Sequence, residues 1–327
     1  MRIVFCGSGS FAAPTLRAII RAGHDVVKIV TQPPRPSGRG GKVHRTPLDE
    51  AARAEDVLKQ DPGRICECQN VNSPEAVAAI RDAKPDVICV ADFGQFIRQP
   101  VRQLAPMGAF NLHGSLLPEL RGAAPINWAI IRGYPRTGVT TFSLVDKMDA
   151  GAMYLQDSTD IRPDETAEEL RARLAEIGAG VVCRTLEMLA RGPVTGQAQN
   201  ESRVTLAPML KKSDGLIDWS AEAAAIRNLI HGVWPWPGGQ AIFRRAGGPD
   251  TPVIVARAAV EPDSESPRAM GPRAEPGTLD ADLLVVTGRG RLRIVEIQPA
   301  GKRVMTWKDF VNGHRPKAGD RFVRPSQ

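Results

Sequence analysis

Asn111 and His113 are the residues of this 327-residue chain whose types and spacing most strongly suggest chemistry. They lie two positions apart in a predicted strand, so their side chains point to the same face. The His113 imidazole can carry a proton near neutral pH, and the Asn111 amide can donate a hydrogen bond to an oxygen that gains negative charge. Asp149 follows a later predicted strand, where its carboxylate could fix the imidazole tautomer and stabilise the imidazole cation. The three residues predict a catalytic trio, although a single histidine in a strand is more often structural.

A basic segment at residues 33–47 is the second candidate site. It carries Arg35, Arg39, Lys42 and Arg45 among many Gly and Pro residues, a composition that favours an exposed loop over a helix or strand. Two interpretations stay open. The segment is either a solvated surface loop or a phosphate-binding loop, and in the second case counterion release would make binding salt-dependent.

Two shorter motifs resemble nucleotide sites. Residues 7–12 read Gly-Ser-Gly-Ser-Phe-Ala after the first predicted strand, like a dinucleotide fingerprint. The second strand ends in Val-Thr-Gln, without the acidic residue that binds a ribose, so we interpret the glycines as a tight turn, with NAD binding as a minority alternative. Residues 92–94 spell the Asp-Phe-Gly triad of protein kinases, but the other kinase motifs do not accompany it. They stay of interest because open α/β sheets bind ligands at the carboxyl ends of their strands.

The elements that must position these residues form an α/β pattern. Short β-branched runs alternate with helical periodicity. The strands are predicted at residues 3–6, 26–31, 86–91, 109–112 and 139–144, and the helices at 14–22, 75–83 and 167–189. This order predicts a parallel sheet covered by helices.

The pattern changes after residue 189. Residues 190–203 are polar with Gly and Pro, which indicates a linker. A helix at 221–230 is followed by short strands separated by turns, and such spacing predicts a small β-barrel. The strands are predicted at residues 241–243, 253–255, 283–286 and 292–295, with a polar loop at 261–276. The chain is thus divided into an α/β domain at 1–189, a linker at 190–203 and a β-barrel domain at 204–327.

Composition narrows the function classes. Hydrophobic residues make up 42% and charged residues 24% of the chain, which excludes disorder over its whole length. The net charge is +7, and residues 204–327 supply +5 of it from 18 Lys and Arg against 13 Asp and Glu, so an anionic partner would be attracted. Five scattered cysteines show no paired zinc pattern. Neither a signal peptide nor an apolar run of about 18 residues is found. We expect a cytoplasmic monomer without metal or membrane.

Longer motifs around the trio resemble a known family. Residues 111–118 read Asn-Leu-His-Gly-Ser-Leu-Leu-Pro, residues 121–126 read Arg-Gly-Ala-Ala-Pro-Ile, and residues 148–151 read Met-Asp-Ala-Gly. This set is typical of formyltetrahydrofolate-dependent formyltransferases. Further segments resemble the tRNA-contacting insertion and the C-terminal domain of the methionyl-tRNA formyltransferase family. They lie at residues 31–33 with 38–40, 217–219 with 234–237, and 298–303 with 309–313.

The resemblance implies a fold, an activity and site residues. The fold would be an α/β, Rossmann-like formyltransferase domain followed by a small, OB-like β-barrel. The activity would be transfer of the formyl group of 10-formyltetrahydrofolate to the α-amino group of methionyl-initiator tRNA. Asn111, His113 and Asp149 would be catalytic. The folate would contact Ser115, Leu116, Leu117, Pro118, Phe93, Gly94, Gln95, Phe96, Ile97, Val145 and Met148, and the tRNA would contact Arg35, Arg39, Lys42 and Arg45.

The chain departs from the family at Asp92, where alanine is more usual, and this substitution would put an extra carboxylate at the pocket rim. Three other functions stay open. A formyltransferase acting on an amino sugar nucleotide or another small amine would not need Arg39 and its loop. A non-catalytic RNA-binding protein would not need His113, and a nicotinamide-dependent oxidoreductase is disfavoured by the missing ribose ligand.

Overall fold

The chain forms two compact units, which the computed structural model describes at residues 1–37, 41–55, 59, 61–262 and 274–325. The first unit contains Met1–Pro125, Arg136–Thr159 and Arg171–Pro208. The second unit contains Ile126–Pro135, Asp160–Leu170 and the chain from Met209 onward. Residues 190–203, which the sequence predicts as a linker, therefore pack within the first unit.

A mixed sheet forms the centre of the first unit. The strands along this part of the chain are β1 (Arg2–Gly7), β2 (Asp25–Thr31), β3 (Arg35–Ser37), β4 (Lys42–His44), β5 (Ile65–Glu67), β6 (Val87–Ala91), β7 (Ala109–His113), β8 (Arg136–Ser143) and β9 (Met153–Asp160). Seven of them form one sheet in the order β5-β2-β1-β6-β7-β8-β9, and β3 pairs with β4 separately. Pairing is parallel from β5 to β7 but antiparallel between β7 and β8. The prediction of a parallel sheet is wrong at this edge, because the residues of a strand do not encode its direction.

Helices accompany this sheet, and two of them begin at a matching signal. The helices along this part of the chain are α1 (Ala13–Arg21), α2 (Pro47–Ala54), α3 (Pro74–Asp82), α4 (Gln99–Arg102), α5 (Pro125–Ile131) and α6 (Ala167–Ala190). Of these, α5 from Ile126 onward and α6 up to Leu170 belong to the second unit. The hydroxyls of Thr46 and Ser73 accept hydrogen bonds from the third residue beyond them and cap α2 and α3. Proline follows each cap, where the missing N–H removes no helical hydrogen bond.

Strand register brings three strand ends to one edge of the sheet. Gly7 of β1 pairs with Ala91 of β6, and Ala91 pairs with Leu112 of β7. Aliphatic side chains fix this register, since Val4, Ile88 and other apolar residues of β1, β2 and β6 are buried in one cluster. His113, the last residue of β7, therefore lies at the carboxyl edge of the sheet, together with the residues that follow β1 and β6.

The second unit is a nearly closed antiparallel barrel. Its elements are α7 (Ala223–Gly232), β10 (Gly239–Arg244), β11 (Thr251–Glu261), β12 (Val285–Val286), β13 (Arg291–Pro299), β14 (Met305–Thr306), α8 (Trp307–His314) and β15 (Arg321–Val323). The strand order is β12-β13-β11-β10-β15, with β14 beside β13. Bridges from Thr278 to Arg321 and from Leu279 to Val285 join the two outer strands. The predicted barrel is confirmed.

Aromatic side chains fill this barrel. Phe243, Phe310 and Phe322 are buried, and the ring centroid of Phe243 lies 5.3 Å from each of the other two. Aromatic pairs at such distances add to the stability that their burial provides. Across the described parts of both units, no helix is long and apolar enough to cross a membrane.

Candidate active site

His113 ends β7 with both ring nitrogens facing polar partners. Its Nε2 lies 2.9 Å from the Leu120 carbonyl oxygen, and since a carbonyl only accepts, Nε2 carries the hydrogen and donates. The ring is buried, and its centroid lies 6.3 Å from that of Phe142 in an edge-on contact. Leu120 therefore fixes the tautomer and leaves Nδ1 as the second proton site.

Asp149 faces that second nitrogen. Its Oδ2 lies 3.8 Å from His113 Nδ1, which is beyond hydrogen-bond distance. The same oxygen accepts a hydrogen bond of 2.8 Å from the Gly122 main chain. The sequence predicts that Asp149 fixes the imidazole tautomer, whereas the structure gives that part to Leu120. The carboxylate is placed instead to stabilise positive charge on the ring.

Asn111 completes the trio on the same strand. It lies two residues before His113 in β7, so both side chains emerge on one face of the sheet. In the sheet Asn111 is flanked by Val90 of β6 and Phe142 of β8. The structure thus brings together the three residues that the sequence selects, on one strand end and one neighbouring loop.

Residues 115–118 build the loop that carries Leu120. Ser115 is buried, and its hydroxyl donates to the Glu119 carbonyl at 2.6 Å. Thr140 Oγ1 accepts from the Leu117 main chain at 3.1 Å and donates to the Ser115 carbonyl at 2.7 Å. Leu117 packs in a small cluster with Phe142 and Met153, and Pro118 is buried while Leu116 is half-buried. These side chains shape the loop, and their contact with folate stays a prediction.

The segment after β6 is divided between core and surface. Phe93 and Ile97 are buried in the apolar cluster that contains Val4 and Ile88, whereas Gly94 and Phe96 are exposed. The Gln95 side chain accepts from the Val71 main chain at 2.7 Å and donates to the Cys68 carbonyl at 3.2 Å. Gln95 therefore anchors the segment, and a folate contact by residues 93–97 stays a prediction.

Asp92 is bound rather than free at the pocket rim. Its Oδ2 accepts a hydrogen bond of 3.3 Å from the Phe11 main chain and lies 3.4 Å from Arg171 Nη1. Its main-chain carbonyl accepts from Ser8 and Gly9. This carboxylate occupies the start of the glycine-rich turn, where a dinucleotide-binding protein would place its phosphate. The arrangement disfavours NAD binding there.

A cavity of about 360 Å³ opens beside the end of β8. It is lined by Gln99, Arg102, Ala109, Val145, Asp146 and Tyr154 with their neighbours. Arg102 donates to the Asp146 carboxylate at 2.6 Å and to the Ile97 carbonyl at 2.9 Å, and these bonds fix one wall. Val145 is among the predicted folate contacts, and Met148, three residues further along, is 60% exposed.

The basic segment forms a short hairpin, so the prediction of a loop without strands is wrong. Arg35 of β3 pairs with His44 of β4, and Pro36 pairs with Val43. Proline fits because a two-stranded ribbon leaves alternate amides facing outward. Arg35 is exposed, and Lys42 lies on β4. Arg39 lies outside the described residues.

Arg45 makes a charge contact within the protein. Its Nε lies 3.2 Å from Asp49 Oδ2, out of line for a hydrogen bond but close enough for a charge contact. Asp49 is 1% exposed and also accepts from Arg53 at 2.7 Å. Arg45 therefore joins the hairpin to α2, and its contact with tRNA stays a prediction.

Comparison with known proteins identifies the family. A family model described as formyl transferase matches residues 1–186, and one described as formyl transferase, C-terminal domain, matches residues 209–315. The chain belongs to the formyl transferase family. The methionyl-tRNA formyltransferase of Solibacter usitatus is 42% identical over 320 residues, which are 96% of each chain. That of Koribacter versatilis is 41% identical over 330 residues and the full length of both chains.

Solved structures share the fold of this formyl transferase. HypX from Aquifex aeolicus in complex with tetrahydrofolic acid has a TM-score of 0.63 at 16% identity, and the match covers 100% of this chain and 51% of HypX. WlaRD, a sugar 3N-formyl transferase, has a TM-score of 0.62 at 12% identity, with 93% and 99% of the two chains covered. At these identities the likeness concerns the fold alone.

Sequence reasoning missed a segment at 197–207, which lies outside the site of this formyl transferase and supports its loops. Gln197 exchanges two main-chain hydrogen bonds of 2.8 Å with Met153, and Ala207 donates to the Arg121 carbonyl at 2.7 Å. Thr205 Oγ1 accepts from the Leu120 main chain at 2.8 Å. The segment thus packs along the loops that carry Leu120 and Asp149. Its start is polar and follows Gly192, Pro193 and Gly196, so the sequence gave no signal other than that of a linker.

Proposed function

We propose that the chain is a methionyl-tRNA formyltransferase that transfers the formyl group of 10-formyltetrahydrofolate to the α-amino group of methionyl-initiator tRNA. The observation that carries the proposal is the placement of His113 between Leu120 and Asp149, on the same strand face as Asn111. It is supported by relatives of that name that match nearly the whole chain.

The reaction needs one oxyanion and one proton transfer. The amine nitrogen attacks the formyl carbon, the carbonyl oxygen becomes an oxyanion, and the bond from that carbon to N10 of the folate breaks. The proton lost by the amine ends on N10. The Asn111 amide stabilises the oxyanion, a contribution of about 3 kcal/mol for one well-placed donor. His113 Nδ1 carries the proton, and Asp149 stabilises the imidazolium that forms.

The cavity beside β8 is the proposed folate site. Its volume of about 360 Å³ falls in the usual range for small-molecule sites. Val145 and Asp146 line it four and three residues before Asp149, and Ala109 lines it two residues before Asn111. A folate held there would lie against the chain segments that carry the trio.

The hairpin and the barrel are the proposed tRNA contacts. Arg35 and Lys42 lie on the two strands of the hairpin, and residues 204–327 carry a net charge of +5. Cationic side chains that contact phosphates release counterions, so tRNA binding should weaken as salt rises. We expect the protein to act as a monomer in the cytoplasm, where charged initiator tRNA is used.

A direct assay tests the proposal. Purified protein is incubated with 10-formyltetrahydrofolate and charged initiator tRNA, and the tRNA is analysed by mass spectrometry of the released methionine. Formylmethionine is the expected product. If the released methionine is unformylated at every protein concentration, the proposal is wrong.

The second candidate is a formyltransferase for a small amine, such as an amino sugar nucleotide. Neutralising the hairpin separates the two. For the tRNA enzyme, replacing Arg35 and Lys42 together with Ala should raise the KM for tRNA about tenfold or more and reduce the slope of log KM against log salt by about one to two. The matched control is Arg184→Ala, since Arg184 is an exposed arginine of α6 paired with Asp157, and it should leave both quantities unchanged. A double variant with unaltered kinetics would favour the small amine.

A further inference from the structure

The turn that carries Asp149 has a backbone that needs support. Asp149 has a φ of +50°, in the left-handed region that non-glycine residues seldom adopt and that costs on the order of 1 kcal/mol or more. Gly151 follows in a tight space, because a Cβ there would lie 1.6 Å from the Ser143 carbonyl oxygen. Contacts outside the turn must therefore hold it in place.

Gln199 provides such contacts. Its Nε2 donates two hydrogen bonds of 2.8 Å, one to the Asp149 carbonyl and one to the Gly151 carbonyl. An amide NH₂ has two hydrogens, so both are used on the turn. Gln199 thus ties together the residues before and after Ala150.

The orientation of the Gln199 amide is itself fixed. Its Oε1 accepts from Arg121 at 3.0 Å through Nε and at 2.8 Å through Nη2, so a flipped amide would place its NH₂ against a cation. Arg121 is 4% exposed and is neutralised by Glu201 at 2.8 Å. Hydrogen bonds from Arg121 and then Lys147 lower the pKa of Glu201 to about 2, so this carboxylate stays charged at every working pH.

We infer that Gln199 is a positioning residue for formyl transfer, which holds the Asp149 turn so that the carboxylate stays on Gly122 and faces His113 Nδ1. The inference rests on the proposed function, in which Asp149 stabilises the His113 cation. Gln199 acts through the main chain of Asp149 and Gly151 and not through contact with a substrate.

Gln199→Glu is the discriminating variant. Glutamate has nearly the same shape and keeps an acceptor for Arg121, but it replaces the NH₂ with an oxygen that faces two carbonyl oxygens. We expect kcat to fall about 100-fold, the scale of loss from a small misplacement of a reacting group, with the KM for tRNA and for folate within about threefold of wild type. Gln199→Ala should lose a similar factor.

The control is Gln197→Ala. Gln197 is an exposed residue two positions earlier, and its main chain pairs with Met153. The kcat of the Gln197→Ala variant should stay within about twofold of the wild-type value. If Gln197→Ala lost as much as Gln199→Glu, the effect would belong to the whole segment, and the inference would be wrong.

A double-mutant cycle separates positioning from general stability. Once Asp149→Asn has removed the carboxylate, adding Gln199→Glu should cost at most about threefold more in kcat, because residues acting through one group are not additive. A further loss near 100-fold would overturn the inference.

Hydrogen exchange gives a readout that does not depend on activity. The peptide spanning residues 147–153 should exchange faster in Gln199→Glu than in wild type, and equal exchange would contradict the inference. Wild-type turnover is measured in parallel. An inactive wild type would overturn the proposed function, whereas an active wild type with an equally active Gln199→Glu would overturn this inference alone.

Discussion

The two ring nitrogens of His113 face partners from different parts of the chain. The Leu120 carbonyl, seven residues away, fixes Nε2 as a donor, and Asp149 places negative charge 3.8 Å from Nδ1. Separate partners for the two nitrogens allow the ring to gain and lose a proton without turning. The imidazole is therefore oriented before any substrate binds.

Replacing His113 with Ala should remove the proton carrier and leave the RNA surface intact. We expect kcat to fall about 100- to 10,000-fold, the usual range for loss of a general acid or base, while the Kd for charged tRNA stays within about twofold. Rapid-quench formylation and filter binding measure the two quantities. Unchanged turnover would show that His113 does not carry the proton.

At the residue scale, the sequence allowed the candidate side chains of the site to be predicted, but not the main-chain groups that bind them. Asn111 and His113 could be selected because the two-residue period of a strand puts them on one face. Leu120 could not, since it acts through a carbonyl group that every residue has. Gln199 lies 50 residues from Asp149 along the chain, and only the folded structure brings an amide to that turn.

At the scale of elements, α6 lies close to β7, the strand that carries Asn111 and His113. A Cβ at Gly178 of α6 would lie 2.7 Å from Leu112 Cδ2. Leu112 is buried, and along the chain it is the residue between Asn111 and His113. Gly180, two residues further along the helix, is exposed and would meet nothing within 4 Å. The two glycines offer a matched comparison within one helix.

Gly180→Ala should stabilise the protein and Gly178→Ala should not. Alanine gains about 1 kcal/mol over glycine inside a helix, which Gly180→Ala should show in the free energy of unfolding by urea. At Gly178 overpacking against Leu112 should cost about 1–3 kcal/mol, so the two variants should differ by about 2 kcal/mol. Gly178→Ala should also lower kcat. Equal stability of the two variants would show that α6 does not constrain β7.

Elements with strong periodicity were predictable, and short or half-exposed ones were not. The apolar face repeated through residues 167–189 predicts a helix that the structure shows at Ala167–Ala190. Strands of two or three residues, such as Met305–Thr306 and Arg321–Val323, are too short to show alternation. Met153–Asp160 was missed because its sequence is largely polar.

At the scale of the whole molecule, stability in acid should depend on a histidine of the second unit. His231 of α7 is 1% exposed, and its Nε2 accepts from the Ala258 main chain at 3.2 Å. Burial, and then the charges of Arg227 and Arg257, lower the pKa of His231 to about 4. The folded state therefore keeps this ring neutral at pH values where the unfolded chain is protonated.

This difference has a defined sign. The pKa falls from 6.5 in the unfolded chain to about 4 in the folded protein, so the stabilisation is complete above pH 6.5 and is lost as the pH falls toward 4. By pH 4 the loss should reach about 3 kcal/mol. Urea unfolding followed by tryptophan fluorescence at pH 7 and pH 4 measures it, with His231→Gln as the non-titrating control. A loss equal in wild type and control would contradict the assignment.

The segment from residue 197 to Pro208 also limits where this enzyme can be divided. The two family matches end at residue 186 and resume at residue 209, and a fragment cut at 189 would still contain Asn111, His113 and Asp149. That fragment would lack Thr205, which holds the loop of Leu120, and Ala207, which pairs with Arg121. If the first unit of this chain is fused to a different acceptor-binding domain, the fusion point has to follow Pro208. The segment before Pro208 has the composition of a linker, but it belongs to the first unit.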